Sequence, residues 1–250
     1  MQCDLDNATI DWEEHGAGKP ILFLHGWTMD RRLEVADYER IFSTRPGWRR
    51  IYPDLPGMGR SIAKPGLTCQ DDVLATLLAF IEHVLPGEGF VLAGTSLGGY
   101  LARAIAVKLR PRMRGLLLRV PAVIPDTARR TLPTAGLATL SAAYERKMRT
   151  LVQPAIDATI PLMHEIRADP ARYGLSFDLA EAEKGFSAPT LMLAGRQDTT
   201  VGYRDAWDII ESYPRATFAV VDGADHTWPV DDPGLLDALV DDWLRRIEQG

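Results

Sequence analysis

Cysteine is almost absent from this 250-residue chain: Cys3 and Cys69 are the only two. With no paired spacing between them, a disulfide framework and a thiolate metal site are both unsupported, and a reducing, cytoplasmic setting is expected. Long hydrophobic runs are missing as well. The longest, at 74–81 and 116–118, fall far short of the roughly 20 apolar residues that cross a bilayer, so no membrane partner is expected. The first residues, Met1-Gln2-Cys3-Asp4-Leu5-Asp6, are acidic where a secretion signal needs a basic start. Positive charge is not in excess either: 28 Lys and Arg stand against 34 Asp and Glu, a formal net charge of −6. Such a chain has no basic field for a phosphate backbone, and the doublets Arg31-Arg32, Arg49-Arg50 and Arg129-Arg130 are too scattered to make one. Nucleic acid is therefore excluded as a partner. Histidine is scarce, at five residues, which narrows the search for a general base.

What is present is an ordinary globular composition, 46% hydrophobic and 25% charged, long enough for one sizeable core. Short β-rich apolar stretches alternate with longer segments of helical period, the pattern of βα units around a mostly parallel sheet. The spacing predicts an edge hairpin over 1–5 and 9–14. Strands are expected at 21–24, 50–52, 90–93, 116–118, 190–194 and 217–221, and helices at 33–42, 70–84, 97–109, 205–213 and 234–247. The fold class is α/β, a doubly wound sheet. Residues 121–188 break the alternation: they hold no β-like run and carry Leu, Met, Ile and Ala at helical spacing. They read as an inserted helical cap, so that 1–120 and 189–250 form the core. Leu137, Leu140, Tyr144, Met148, Leu151, Ile156, Ile160, Met163 and Ile166 are its apolar positions. Some of these pack on the sheet and some are expected to roof an apolar pocket.

Chemistry is concentrated in Gly94-Thr95-Ser96-Leu97-Gly98-Gly99, set between a buried strand and a helix. A G-x-S-x-G pattern in that context puts the serine on a sharp, strained turn where its hydroxyl clears the sheet, and side chains at Gly94 or Gly98 would collide. The helix N-terminus adds unpaired N–H groups for a developing oxyanion. A serine hydroxyl is a weak nucleophile, so a base and an orienter are required. His226 lies in the loop after the last strand and before the last helix, where a doubly wound sheet gathers its reacting groups. Asp198 lies in the loop after the preceding strand; Asp126, Asp222 and Asp225 are the rival acids. His83 and His164 read as surface or packing residues, and His25 as a brace for the loop His25-Gly26-Trp27. In that loop the N–H of Trp27 is expected to join that of Leu97 as oxyanion donor. Asp54 and Arg60, in the loop from Asp54 to Ser61, read as structural.

The set His25-Gly26-Trp27, Asp54-Leu55-Pro56-Gly57-Met58-Gly59-Arg60-Ser61, Gly94-Thr95-Ser96-Leu97-Gly98-Gly99, Gly195-Arg196-Gln197-Asp198 and Asp225-His226 resembles the α/β-hydrolase superfamily, in its compact, cofactor-free esterase-like branch. The resemblance implies a Ser96–His226–Asp198 triad, an oxyanion hole from the Trp27 and Leu97 amides, and no metal or other cofactor. Asp225 departs from it, since many relatives carry a glycine there; the extra carboxylate is expected to stiffen the loop or shift the histidine's titration. Serine at the elbow argues against the members with an aspartate nucleophile. The function expected is hydrolysis of a small-molecule carboxylic ester through an acyl-enzyme. Lactone, thioester or carbon–carbon bond cleavage on the same triad is the alternative, and beyond these a ligand sensor or an acyltransferase on the same scaffold. Trp27, Met29, Met148, Met163, Val201 and Trp228 are the expected pocket residues, and the acidic balance points weakly to neutral esters. Arg129 and Arg130 leave a carboxylate-bearing substrate open.

Overall fold

The computed structural model describes residues 1–136, 140–231 and 233–249. Side chains of successive strand residues point to opposite faces, and the central strands use both faces for burial. Ile21, Phe23, Val91, Ala93, Leu117, Leu191 and Leu193 enter one apolar cluster, and Leu22, Leu24, Leu92, Leu116, Leu118 and Met192 the other. That two-sided burial is why these strands read as continuous apolar runs.

The strands are β1 (Gln2–Asp4), β2 (Ala8–His15), β3 (Lys19–Leu24), β4 (Trp48–Pro53), β5 (Ile62–Ala63), β6 (Phe90–Thr95), β7 (Met113–Arg119), β8 (Thr190–Gly195) and β9 (Ala216–Val221). Their order is β1-β2-β4-β3-β6-β7-β8-β9, with β5 pairing β2 off the main path. Strands β4 through β9 in that order run parallel, while β1 and β2 form the antiparallel edge hairpin. The short β5 has no apolar run to announce it.

Helices α1 (Arg31–Phe42) and α10 (Pro233–Gln249) cover one face, through Tyr38, Ile41, Leu236, Val240 and Trp243; α2 (Gln70–Val84) and α3 (Leu97–Lys108) cover the other. Where one long helix is expected over 205–213, α9 (Arg204–Asp208) stops and a 3₁₀ turn over Ile210–Ser212 follows.

Between β7 and β8 the regular elements among the described residues are all helical. These are a 3₁₀ turn (Thr127–Arg129), α4 (Ala142–Lys147), a π-helical turn (Met148–Val152), α5 (Gln153–Asp157), α6 (Pro161–Ala168), α7 (Pro170–Tyr173) and α8 (Leu179–Ala182). Met163, Ile166, Tyr173, Leu179 and Phe186 belong to the main core cluster. The segment therefore shares the core instead of building its own, whereas Leu140 and Ile160 are exposed. Leu137 lies outside the described residues. No helix among the described residues is long and apolar enough to cross a membrane.

The chain leaves β3 toward β4 and returns to β6 on the opposite side of β3. A crevice opens at the carboxyl ends of strands where the order reverses in this way. The loop after β3 and the turn after β6 both meet there.

Candidate active site

Ser96 joins β6 to α3 with φ 54° and ψ −113°, a conformation that side chains other than glycine rarely adopt. The sequence permits it by leaving out side chains on either side. A Cβ on Gly94 would stand 2.3 Å from the Gly98 carbonyl oxygen, and one on Gly98 2.1 Å from that of Leu24. Because the obstacle at Gly98 is backbone, Gly98→Ala has no side chain to push aside. We expect it to lose about 3 kcal/mol or more of stability, read as a fall in the urea midpoint; an unchanged midpoint would mean the elbow can relax. Thr28 (φ 57°) and Val120 (φ 39°) are the other non-glycine residues of positive φ among those described. All three lie just beyond the carboxyl ends of β3, β6 and β7, so backbone strain of about 1–3 kcal/mol each gathers around one crevice.

Three loops bring three side chains into line. His226 Nε2 lies 2.9 Å from Ser96 Oγ, and Nδ1 2.8 Å from Asp198 Oδ2. Asp198 is wholly buried. Its other oxygen, Oδ1, accepts the N–H groups of Thr200 at 2.8 Å and Val201 at 3.1 Å. A carboxylate can only accept, so Nδ1 carries the imidazole proton and Nε2 presents its lone pair to the serine. The rival acids are engaged elsewhere: Asp126 accepts Ala128 N–H, Asp222 accepts the Gln197 amide, and Asp225 Oδ1 accepts both Thr227 N–H and Thr227 Oγ1–H. The last pair closes a tight turn next to His226.

The loop after β3 packs directly on the serine: a Cβ on Gly26 would stand 3.3 Å from Ser96 Cβ. His25 holds this loop. Its Nδ1–H donates to Gly26 O at 2.8 Å and its Nε2 accepts Leu55 N–H at 2.8 Å, and complete burial pushes its pKa down, which keeps it neutral. Asp54 holds the neighbouring loop, accepting Arg31 N–H, Arg31 Nη1–H and Arg60 N–H, while the Arg60 side chain is exposed. Leu97 opens α3, where an N–H has no carbonyl one turn back within the helix. Among the described residues no backbone acceptor meets the Trp27 or Leu97 N–H.

A buried ionic cluster lies behind the serine. Arg119, at the end of β7, donates to Asp37 at 2.5 Å, to both Glu34 oxygens at 3.2 Å and to Thr95 Oγ1 at 3.1 Å. Lys147, from α4, reaches the same Asp37 at 2.9 Å and also donates to Thr227 O at 3.1 Å and Pro229 O at 2.9 Å. Burial pushes Lys147 down and Glu34 up. One cluster thus ties Thr95, beside Ser96, to Thr227, beside His226. No motif marks its charged members, Glu34, Asp37, Arg119 and Lys147, because charged residues this far apart in sequence meet only through the fold.

Ser96 and His226 open on a cavity of about 220 Å³, which Trp27, Met29, Leu33, Val152, Arg130, Arg167 and Tyr173 also line. Of the expected pocket residues, Trp27 and Met29 are there; Met148, Met163, Val201 and Trp228 are not part of its lining. The extra residue of the π-helical turn shifts helical phase, and Val152 reaches the cavity where Met148 does not. Met163 is buried against Gly57, Val201 is in the core, and Trp228 lines a separate depression with Tyr144 and Val230. For Met163, Val201 and Trp228, packing on the core took the apolar side chain.

Comparison with known proteins gives one coherent set of matches. Residues 21–239 match the model of the alpha/beta hydrolase family. An AB hydrolase superfamily protein of Bacillus subtilis is 33% identical over 110 residues, a match spanning 44% of this chain but only 38% of that protein's length. A pimeloyl-acyl-carrier-protein methyl ester esterase of Legionella pneumophila is 22% identical over 94% of this chain and 99% of its own. In structure, an alpha/beta superfamily hydrolase of Oenococcus oeni superimposes with a TM-score of 0.85 at 24% identity, covering 97% of each chain. At that identity the likeness shows a shared fold.

Proposed function

The chain belongs to the alpha/beta hydrolase family, and from that premise we propose that it cleaves carboxylic esters of small molecules by transferring the acyl group to Ser96 and then to water. The observation that carries this reading is the pair of hydrogen bonds of 2.9 and 2.8 Å that line up Ser96 Oγ, His226 and Asp198. As Oγ bonds to the ester carbonyl carbon, His226 Nε2 takes the hydroxyl proton, and the carbonyl electron pair moves onto oxygen. The N–H groups of Trp27 and Leu97 hold that oxyanion. Collapse breaks the bond to the alcohol oxygen, which leaves with the proton from Nε2. Water then repeats the sequence on the acyl-enzyme, releasing the acid and restoring Ser96. Asp198 keeps its proton-accepting oxygens throughout and stabilises the imidazolium.

Ester specificity draws on the full-length likeness to a methyl ester esterase. The test is a panel of short p-nitrophenyl esters, lactones and thioesters on wild type and Ser96→Ala. Ester turnover with an initial burst is expected in wild type, with kcat at least about 10³-fold lower in Ser96→Ala. Retained turnover in the pure variant would sink the assignment. A single slow turnover with a ligand-dependent rise in Tm would point to a sensor, and preference for an added alcohol over water to an acyltransferase.

A further inference from the structure

Arginines that are buried in this protein meet carboxylates: Arg31 meets Asp11 and Asp54, Arg103 meets Glu183, and Arg119 meets Glu34 and Asp37. Two that line the cavity beside Ser96 and His226 do not. Arg130 spends Nε, Nη1 and Nη2 on the carbonyl oxygens of Ile124, Thr200 and Pro125, at 2.8, 3.0 and 3.2 Å. These carbonyl oxygens are neutral acceptors, so none of the three forms an ion pair with it. Arg167 sits 5.5 Å over the ring of Trp27 and 5.5 Å over that of Tyr173, and donates to the Tyr173 hydroxyl at 3.4 Å. Among the described residues neither guanidinium has a carboxylate within salt-bridge distance. Burial, together with the neighbouring Arg167 charge, pulls the Arg130 pKa down, against the opposing influence of Tyr173 and of the more distant Asp198 and Asp205 carboxylates. Two like charges held close in a part-buried apolar cavity are costly unless an anion joins them.

We propose that Arg130 and Arg167 are a carboxylate subsite of the cavity, and that the substrate is a short ester carrying a free carboxylate away from its scissile bond. The proposal rests on the hydrolase reading of Ser96 and His226 and extends it to a substrate class. Planar guanidiniums match a carboxylate through paired N–H donors. The aromatic faces of Trp27 and Tyr173 hold Arg167 in orientation, and the Tyr173 hydroxyl accepts from it at 3.4 Å. A cavity of about 220 Å³ is smaller than the roughly 300–1,000 Å³ of drug-sized sites, which favours a short chain between the carboxylate and the ester. The acidic balance of the whole chain pointed the other way, toward neutral esters, but a sum over the surface says nothing of the two charges nearest the substrate.

The test compares mono-p-nitrophenyl glutarate with p-nitrophenyl pentanoate, equal in chain length and different in the terminal carboxylate. In wild type kcat/KM is expected to favour the glutarate roughly tenfold or more. In Arg167→Met that ratio should fall to near one, whatever happens to the rate on the neutral ester, and Arg167→Lys should recover part of it. Binding is read separately in a Ser96→Ala background, where monomethyl glutarate should raise Tm and methyl pentanoate should not, the rise disappearing when Arg167→Met is added. If no ester is turned over but this Tm response holds, the hydrolase reading falls and the subsite stands. Equal kcat/KM for the two esters, or a ratio and a Tm response indifferent to Arg167→Met, overturns the subsite. Protection by inorganic phosphate in place of monomethyl glutarate also overturns it, by assigning the pair to a phosphate.

Discussion

An Asp198→Asn variant is expected to fold normally and to hydrolyse short p-nitrophenyl esters with kcat lowered by about 10⁴-fold. The reason lies in how the carboxylate is held. Oδ1 accepts two backbone N–H groups, from Thr200 at 2.8 Å and Val201 at 3.1 Å, and these donors will keep the asparagine oxygen on their side. The new NH₂ is then forced into the place of Oδ2, 2.8 Å from His226 Nδ1. An NH₂ group donates, so Nδ1 must accept and the imidazole proton moves to Nε2. Nε2 then faces Ser96 Oγ as a donor, and the serine has no base. Stopped-flow or steady-state release of p-nitrophenol measures the effect. A rate within a few-fold of wild type would transfer the orienting role to another acid, and Asp126, Asp222 and Asp225 would each have to leave their present hydrogen bonds to take it.

Replacing Arg119 with methionine should cost the protein about 3–5 kcal/mol at pH 8, because it leaves buried carboxylates without their cation. Arg119, Glu34 and Asp37 are all buried. Asp37 keeps Lys147 as a partner at 2.9 Å, but among the described residues Glu34 forms an ion pair only with Arg119. Burial already pushes Glu34 up in the wild-type protein, and Arg119 is the largest influence opposing it. Without the arginine the upward shift grows. A group whose pKa is higher in the folded state favours folding below its unfolded pKa and loses that contribution as pH rises through the folded value. The deficit of Arg119→Met should therefore shrink as pH is lowered from 8 toward 5. Urea midpoints at the two pH values provide the measurement, and adding Glu34→Gln to the variant should restore part of the loss at pH 8. A deficit that is the same at both pH values would mean that Glu34 is not the group left uncompensated.

Much of the fold could be read in the sequence because its signals are local. The run Phe90 to Gly99 holds strand, turn and helix start in consecutive residues, and the small residues at Gly94 and Gly98 answer contacts of 2.3 and 2.1 Å that the turn itself creates. Helix α2 is predicted and found over the same residues, Gln70–Val84, since its apolar stripe, its stop at Pro86-Gly87 and its acidic first turn all agree. The two-residue β5 and the break between α9 and the 3₁₀ turn at Ile210–Ser212 carry no comparable pattern; they exist because neighbouring elements close on them.

The sequence by itself determined that a serine on an elbow, an acid and a histidine follow the carboxyl ends of three parallel strands, β6, β8 and β9. A parallel sheet delivers those ends to one edge whatever the loops contain, so the order of the motifs was enough to bring Ser96, Asp198 and His226 together. Only the tertiary structure decided what faces them. The regular elements between β7 and β8 are all helical among the described residues, and helical period identifies an apolar stripe without saying against what it will pack. Met163 went to the core and Met148 is not part of the cavity lining, while Arg167 and Tyr173, which no motif marked, came to stand with Arg130 on the cavity wall. Contacts of that kind join residues from separate elements, and their partners are chosen by the packing of the whole chain and not by the residues beside them.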